Sequence, residues 1–355
     1  MKLPHISVSG DAFEIGVALG RQGRRAYQDV VRNIDRFQSM QRWRGSDRLA
    51  EIAARSRREF PELMREVDGI AEGVEADFEE VFVWNCRGDL PGASAIAGAQ
   101  GCTDVMIPAD PVAGQPAVIG HNEDDAPMLA DECFVATVTP SEGLGFTSFC
   151  SPGLLPGHTF AVNEAGLVQT INHIRPADQQ AGIGRHIISR AVLGCRTLDA
   201  ARTVLERTDR ASGFHHNLGS CKGMTLWAVE APASGCAIEP VAAPYAHANH
   251  LVFERFSDLD QEVARSSHDR QRRANALIAS GAVDRDPLAI LGDREGDGLP
   301  ICRKTRGGPD SGYTLATAVF EIGAEGVAWR VYDDPNAAPV LDGTVIAERP
   351  LQPAQ

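Results

Sequence analysis

The sequence predicts an α+β fold, on three observations. The first hundred residues carry helical periodicity, a block of short β-rich runs follows from about residue 102, and after two further helical runs the chain returns to strands. The regular βαβα alternation of a doubly wound parallel sheet is not there.

The elements follow in order. "DAFEIGVALGRQGRRAYQDVVRNIDRF" opens at Asp11 with an Asp-x-x-Glu start that has the form of a capping box, and sets Ile15, Ala18, Leu19, Val30, Ile34 and Phe37 at helical spacing. A second helical run starts near Ser46. A third, "FPELMREVDGIAEGV", has Pro61 in its first turn and Leu63, Met64, Val67, Ile70, Ala71 and Val74 along one side. "RGDLPGASAIAGAQG" is loop by composition. Then come "CTDVMIP", "PAVIGHN", "CFVATVTP", "GFTSFC", "HTFAVN" and "GLVQTINHI", spaced as hairpins. "GRHIISRAVLGCRTLDAARTVLERT" restores the helical period, with Thr197 as N-cap and Leu198, Ala201 and Leu205 on one stripe. "MTLWAVEAP", "GCAIEP" and "YAHANHLVF" return to strand, "QEVARSSHDRQRRANALIAS" is a charged helix, and "YTLATAVFEI" with "GVAWRVYDD" forms a final hairpin.

The totals narrow the function. The chain has 355 residues, 43% of them apolar, and a net charge of -14. That charge repels phosphate backbones and anionic lipid, so no nucleic-acid or membrane partner is expected. Residues 1–101 are nearly neutral, and the acidic excess lies beyond them. The start does not read as a secretory signal and no run is long enough to span a bilayer, so a soluble cytoplasmic protein is expected, its oligomeric state open but a homo-oligomer allowed. Eight cysteines are scattered with no CxxC pair, which removes zinc-ribbon and thioredoxin-like readings. There is no GxGxxG after a strand and no Walker loop.

Chemistry concentrates where the loop meets the first strand of the second block, in "GCTD". A cysteine nucleophile needs a base, and the amine of an N-terminal cysteine serves as one. Exposing that amine requires cutting the bond between Gly101 and Cys102, and a glycine there is expected to tolerate the backbone needed for the thiol to attack its own upstream carbonyl. Downstream, "VIGHNEDDAP" places Asn122, Glu123, Asp124 and Asp125 just after a strand. These residues are open to three readings: an acidic turn, a divalent-metal site with His121, or a carboxylate beside the Cys102 amine. Asn172 and Asn249 are candidates for two amides converging on one carbonyl oxygen.

Together these motifs resemble the acyl-CoA:6-aminopenicillanate (isopenicillin N) acyltransferase family of autoproteolytic N-terminal-nucleophile hydrolases. "FPELMREVDGIAEGVEADFEEVFVWN" is similar to its propeptide helices, "GCTD" to its processing site, "GHNEDD" to its G-x-N-x-D strand end, and "VNEAGLVQTIN" and the asparagine before "HLVF" to further family segments. The resemblance implies an αββα sandwich of two stacked antiparallel sheets. It implies a helical propeptide of residues 1–101 that stays as partner to a catalytic chain of residues 102–355. Cys102 is then the nucleophile for self-cleavage and catalysis, Asp124 the carboxylate near the new amine, and Asn172 and Asn249 the groups around the oxyanion. Where the family has an arginine near the nucleophile, this sequence has His268 at that place and Arg270 two residues later, so the resemblance leaves the role to Arg270 or His268. The substrate is a small amide or acyl thioester, with no metal or organic cofactor, and its pocket residues are not identified. The competing readings are a metal-dependent hydrolase built on His121, Glu123, Asp124 and Asp125, and a noncatalytic binding relative.

Overall fold

A computed structural model describes residues 3–91, 101–306 and 312–346. Its strands are β1 (His5–Gly10), β2 (Thr103–Ile107), β3 (Ala117–Asp125), β4 (Phe134–Pro140), β5 (Phe146–Cys150), β6 (Phe160–Asn163), β7 (Leu167–His173), β8 (Phe214–Ser220), β9 (Thr225–Glu230), β10 (Ala237–Pro240), β11 (Tyr245–His247), β12 (Tyr313–Gly323), β13 (Gly326–Tyr332) and β14 (Leu341–Ile346). The helices are α1 (Ala12–Asp29), α2 (Asp35–Met40), α3 (Asp47–Glu59), α4 (Pro61–Val74), α5 (Phe78–Asn85), α6 (Arg185–Val192), α7 (Leu198–Leu205), α8 (Arg265–Ala279) and α9 (Leu288–Leu291).

The strands form an eight-stranded sheet in the order β1-β4-β5-β6-β7-β8-β9-β10 and a six-stranded sheet in the order β11-β2-β3-β12-β13-β14. Among the described residues every neighbouring pair is antiparallel except β1 beside β4, which runs parallel. The interior between the sheets is apolar: Phe149 and Phe160 of the larger sheet meet Phe320, Trp329 and Val331 of the smaller. On the outer face of the larger sheet, Ile15 and Leu19 of α1 pack on Val8, Phe134 and Ala136. On the outer face of the smaller, Ala274 of α8 and Ile290 of α9 pack on Val105, Val118 and Val319. Burying each such side chain contributes about 1.5–3 kcal/mol, which is why the amphipathic helices end as outer layers. The result is the expected αββα sandwich.

Local sequence explains the helix ends. Asp11 accepts from the Glu14 N–H while Glu14 reaches back to the Asp11 N–H, completing the capping box, and Ser46 and Thr197 cap α3 and α7. The first helix is shorter than its periodicity suggests. It ends at Asp29, a single 3₁₀ turn carries Val31 to Asn33, Ile34 is extended, and α2 restarts at Asp35. Across the break Val31, Ile34 and Phe37 are all buried in the core.

The Gly-Ile-Ala-Glu-Gly stretch has a packing reason. A Cβ on Gly69 would sit 2.2 Å from the Phe13 carbonyl oxygen and one on Gly73 2.5 Å from that of Val17, so α4 lies backbone to backbone against α1.

The N-terminal segment is built into the body of the protein. β1 forms the edge of the larger sheet, Glu66 of α4 makes a buried ion pair with Arg190 of α6 at 2.9 Å, and Asp89 accepts from the Arg185 backbone N–H and the Ser212 hydroxyl. Of the expected loop over residues 87–101, residues 92–100 lie outside the described residues. Among the described residues no helix is long and apolar enough to cross a membrane.

Candidate active site

Cys102 stands one residue before β2, and register fixes its neighbours. β2 and β3 pair antiparallel with Thr103 opposite Asn122 and Asp104 opposite His121, so Cys102 comes opposite Glu123. Side chains alternate along a strand, which splits the segment into two faces.

One face carries Cys102, Asp104, His121 and Glu123, all buried. The Cys102 thiol donates to Glu123 Oε2 at 3.2 Å, His121 Nε2 lies 3.4 Å from the same oxygen, and His121 Nδ1 lies 2.8 Å from Asp104 Oδ1. The Thr170 hydroxyl donates to Asp104 Oδ1 at 2.6 Å from the facing sheet. The chain thiol, carboxylate, imidazole, carboxylate is a buried proton path whose members are each held by the next. Burial, then the Glu123 charge, pushes the Cys102 thiol up to about 12. Burial also raises the Glu123 carboxyl, with His121 opposing. Burial alone would lower His121, but Asp104 and its hydrogen bond outweigh that and hold the imidazole well above its ordinary value. The donor atoms of Cys102, His121 and Glu123 lie within 4.8 Å of one another, a spacing at which a thiophilic cation would also fit.

The other face carries Thr103, Asn122 and Asp124. Arg303 Nη2 donates at 2.7 Å to Asp124 Oδ2 and at 2.7 Å to the Gly101 carbonyl oxygen. Arg270 of α8, fully buried, donates to the Cys102 carbonyl oxygen, to Thr103 Oγ1 at 2.8 Å and to Asn249 Oδ1 at 2.7 Å. Two guanidiniums therefore hold the carbonyls on either side of the Cys102 residue.

The expected residues fall as follows. Cys102, Asp124, Asn249 and Arg270 meet around the Gly101/Cys102 bond, while the His268 side chain is 68% exposed and its ring faces Asp269 instead. Asn172 is held apart: Ile171 and His173 line the cavity beside Cys102, whereas Asn172, on the opposite face of β7, donates to the His247 carbonyl oxygen at 2.9 Å. The Asn249 amide donates to the His173 carbonyl oxygen at 3.0 Å, so in this uncut chain the two asparagines do not converge on one oxygen. The quartet considered for a metal does not gather either. Asp124 pairs with Arg303 across the strand from His121, and Asp125 takes Arg36 at 3.2 Å and Arg87 at 3.5 Å. Nor is "NEDD" an acidic turn, since β3 runs through Asp125 with all nine residues buried.

Gly101 has a steric reason to be glycine: a Cβ would lie 2.1 Å from Asn249 Oδ1 and 2.5 Å from Arg270 Nη2. Sequence reasoning missed Arg303, which follows no motif, weighed His121 only as a metal ligand, and did not single out Glu123 from the neighbouring carboxylates. The signal for the latter pair was the hairpin register, which sets Asp104 and Cys102 against them.

An open cavity beside Cys102 is lined by Arg36, Arg87, Arg175 and Arg185. Burial and the neighbouring Arg36 charge lower Arg87 to about 10. Burial, offset by Asp89 and reinforced by the other three arginines, lowers Arg185 to about 9.

Residues 112–337, more than half of the chain, match the family described as acyl-coenzyme A:6-aminopenicillanic acid acyl-transferase. The match begins ten positions after Cys102. The chain is also 23% identical, over 94% of its own length and 93% of the other's, to the beta-alanyl-dopamine/carcinine hydrolase of Drosophila melanogaster.

Proposed function

The chain belongs to the acyl-coenzyme A:6-aminopenicillanic acid acyl-transferase family, and from that premise we propose that it is made as a precursor, cuts itself between Gly101 and Cys102, and then works as a cysteine amidohydrolase or acyltransferase. One observation carries the reading: the Cys102 thiol is hydrogen-bonded to a buried carboxylate at 3.2 Å while the carbonyl it would attack, that of Gly101, is held by Arg303 at 2.7 Å.

Before cleavage the Cys102 nitrogen is an amide and cannot act as base. Glu123 takes the thiol proton instead, its charge balanced until then by His121, which Asp104 holds from the other side. The sulfur attacks the Gly101 carbonyl carbon, and the oxyanion forms on the oxygen already facing Arg303. The C–N bond breaks, the proton goes to the Cys102 nitrogen, and water hydrolyses the resulting thioester to a Gly101 carboxylate and a free thiol.

In the mature enzyme the new α-amine, with an ordinary value of about 7.7–8, accepts the thiol proton. A substrate carbonyl takes the place of the Gly101 carbonyl, its oxygen on Arg303, with Asp124 orienting that guanidinium. Arg270, braced by Asn249, holds the nucleophile's backbone. The acyl group passes to water or to an amine. Residues 1–101 remain bound through β1 and the α1/α4 pair, because the core runs across the cut.

The test is turnover of a panel of amides and acyl thioesters by wild type, Cys102→Ala, and wild type with a chelator. The expected result is activity that needs Cys102 and ignores the chelator. Activity that survives Cys102→Ala and disappears with the chelator would replace this reading with a metal-dependent one.

A further inference from the structure

The cavity beside Cys102 has more positive charge than the enzyme's own acids balance. Four arginines from separate places in the chain line it: Arg36 from α2, Arg87 after α5, Arg175 after β7 and Arg185 at the start of α6. Arg175 is 7% exposed and Arg185 3%. Three acids also line the cavity, but two are already engaged, Asp124 with Arg303 at 2.7 Å and Glu123 with Cys102 and His121. Asp125 alone is shared between Arg36 and Arg87.

Among the described residues the Arg175 guanidinium reaches only the Glu262 carboxylate, whose side chain is 56% exposed. Arg185 donates to the Gly213 carbonyl oxygen at 3.2 Å and to His173 Nδ1 at 2.7 Å, both neutral acceptors, and the acid that attracts it, Asp89, is held by the Arg185 backbone N–H and the Ser212 hydroxyl. The Nε–H groups of Arg36, Arg175 and Arg185 are buried with no hydrogen-bond partner among the described residues. Like charges gathered out of water repel: burial first, and the neighbouring arginines after it, lower Arg87, Arg185 and His173. A fold gains nothing from such a cluster unless something negative enters it.

We propose that this cavity receives a carboxylate of the substrate, so that the enzyme acts on amides or thioesters whose reacting carbonyl lies within a few atoms of a carboxylate, as in N-acyl amino acids. The inference rests on Cys102 being the nucleophile, since the cavity opens onto its thiol. Arginine suits the task because its planar fork matches a carboxylate with two parallel hydrogen bonds. The other half of the substrate is then selected elsewhere, which fits the weak apolar lining offered by Ile171 and Phe214.

Charge selection can be read on the thiol itself without knowing the substrate. The full chain is alkylated with iodoacetate and, separately, iodoacetamide at the same pH and ionic strength, and the rate at Cys102 is read by peptide mass spectrometry. The ratio of the two rates is divided by that for glutathione, which cancels the intrinsic reactivity of the reagents and of the thiolate. The expected ratio favours iodoacetate by about tenfold or more, as focusing by a cationic cleft produces. It falls toward one in Arg175→Gln and in Arg36→Gln. A wild-type ratio at or below one overturns the proposal, as does a high ratio that neither variant changes. A mere increase in thiol reactivity raises both rates together and leaves the ratio at one. Failure of the nucleophile reading is seen separately, as a wild-type chain that is never cut at Cys102.

Discussion

Replacing Gly101 by alanine is the most constrained test of the processing geometry. The new methyl would lie 2.1 Å from Asn249 Oδ1, 2.7 Å from Asn249 Cγ and 2.5 Å from Arg270 Nη2, so something must move by about an ångström. Neither neighbour yields easily. Asn249 is tied through its side chain to the His173 carbonyl oxygen and through its backbone N–H to Ser267, and Arg270 is tied to Cys102, Thr103 and Ser266. Overpacking of this kind costs about 1–3 kcal/mol, and weakening the Arg270–Asn249 hydrogen bond adds about 1 kcal/mol. With an unfolding entropy of about 2.1 cal/mol/K per residue, a loss of about 2–4 kcal/mol over 355 residues lowers Tm by about 3–5 °C. The comparison is made by calorimetry in a Cys102→Ala background, so that both chains are uncut. Gly323→Ala, whose methyl would meet nothing nearer than 3.6 Å, is the control and keeps its Tm. With Cys102 present, moving the Gly101 carbonyl off Arg303 slows self-cleavage about 100-fold. A Gly101→Ala chain that cuts at the wild-type rate would refute the geometry.

Three further outcomes follow from the same structure. Glu123→Gln removes the group that takes the thiol proton and slows the first-order appearance of fragments by about 10²–10⁴; an unchanged rate on a denaturing gel time course would remove Glu123 from the mechanism. Arg303→Gln leaves Asp124 buried without its cation and destabilises by about 3–5 kcal/mol; the double variant with Asp124→Asn recovers part of the loss in urea denaturation, and strict additivity would contradict the pairing. Stability falls as the solution is acidified below about pH 6.5. Burial lowers His158 and His216 to about 3 and drives His173, His186 and His215 well below their ordinary value, so the unfolded chain takes up protons that the native one refuses. Each such group costs about 1.4 kcal/mol per pH unit below the unfolded value. His121, Asp89 and Glu123, whose values are raised, act in the opposite sense but are outnumbered by these five histidines. Chemical denaturation at pH 7 and pH 5.5 checks the sign, and equal stability at both would contradict it.

What the sequence made legible depended on local signals. Helix starts with capping side chains at Asp11, Ser46 and Thr197, and strands with alternating or continuous apolar runs, could be read directly. Strand β8, "FHHNLGS", could not, because histidine, asparagine and glycine give no β signal; it is a strand because its position between β7 and β9 buries every residue of it. β1 and β14 were equally silent: β1 is an edge strand whose partner, β4, lies far along the chain, and β14 is the opposite sheet's edge strand beside β13, with alternating exposure and little apolar signal. β11 ends at His247, so Asn249 sits in the following turn and not at a strand end. Within the site, Cys102 and Asp124 stood in recognisable motifs and Arg270 in a family-like segment. The roles of Asp104, His121 and Glu123 required the β2/β3 register, and Arg303 and the four cavity arginines required the tertiary fold, since nothing in their flanking residues distinguishes them from solvated ones.

The central claim is that the Gly101/Cys102 bond is cut by the Cys102 thiol. The direct measurement is the intact mass of purified wild type and Cys102→Ala under denaturing conditions after incubation at neutral pH. The account predicts two fragments for wild type, one ending at Gly101 and one beginning at Cys102, and a single whole chain for the variant. A wild type that stays whole, or a variant that is cut at the same bond, would contradict it.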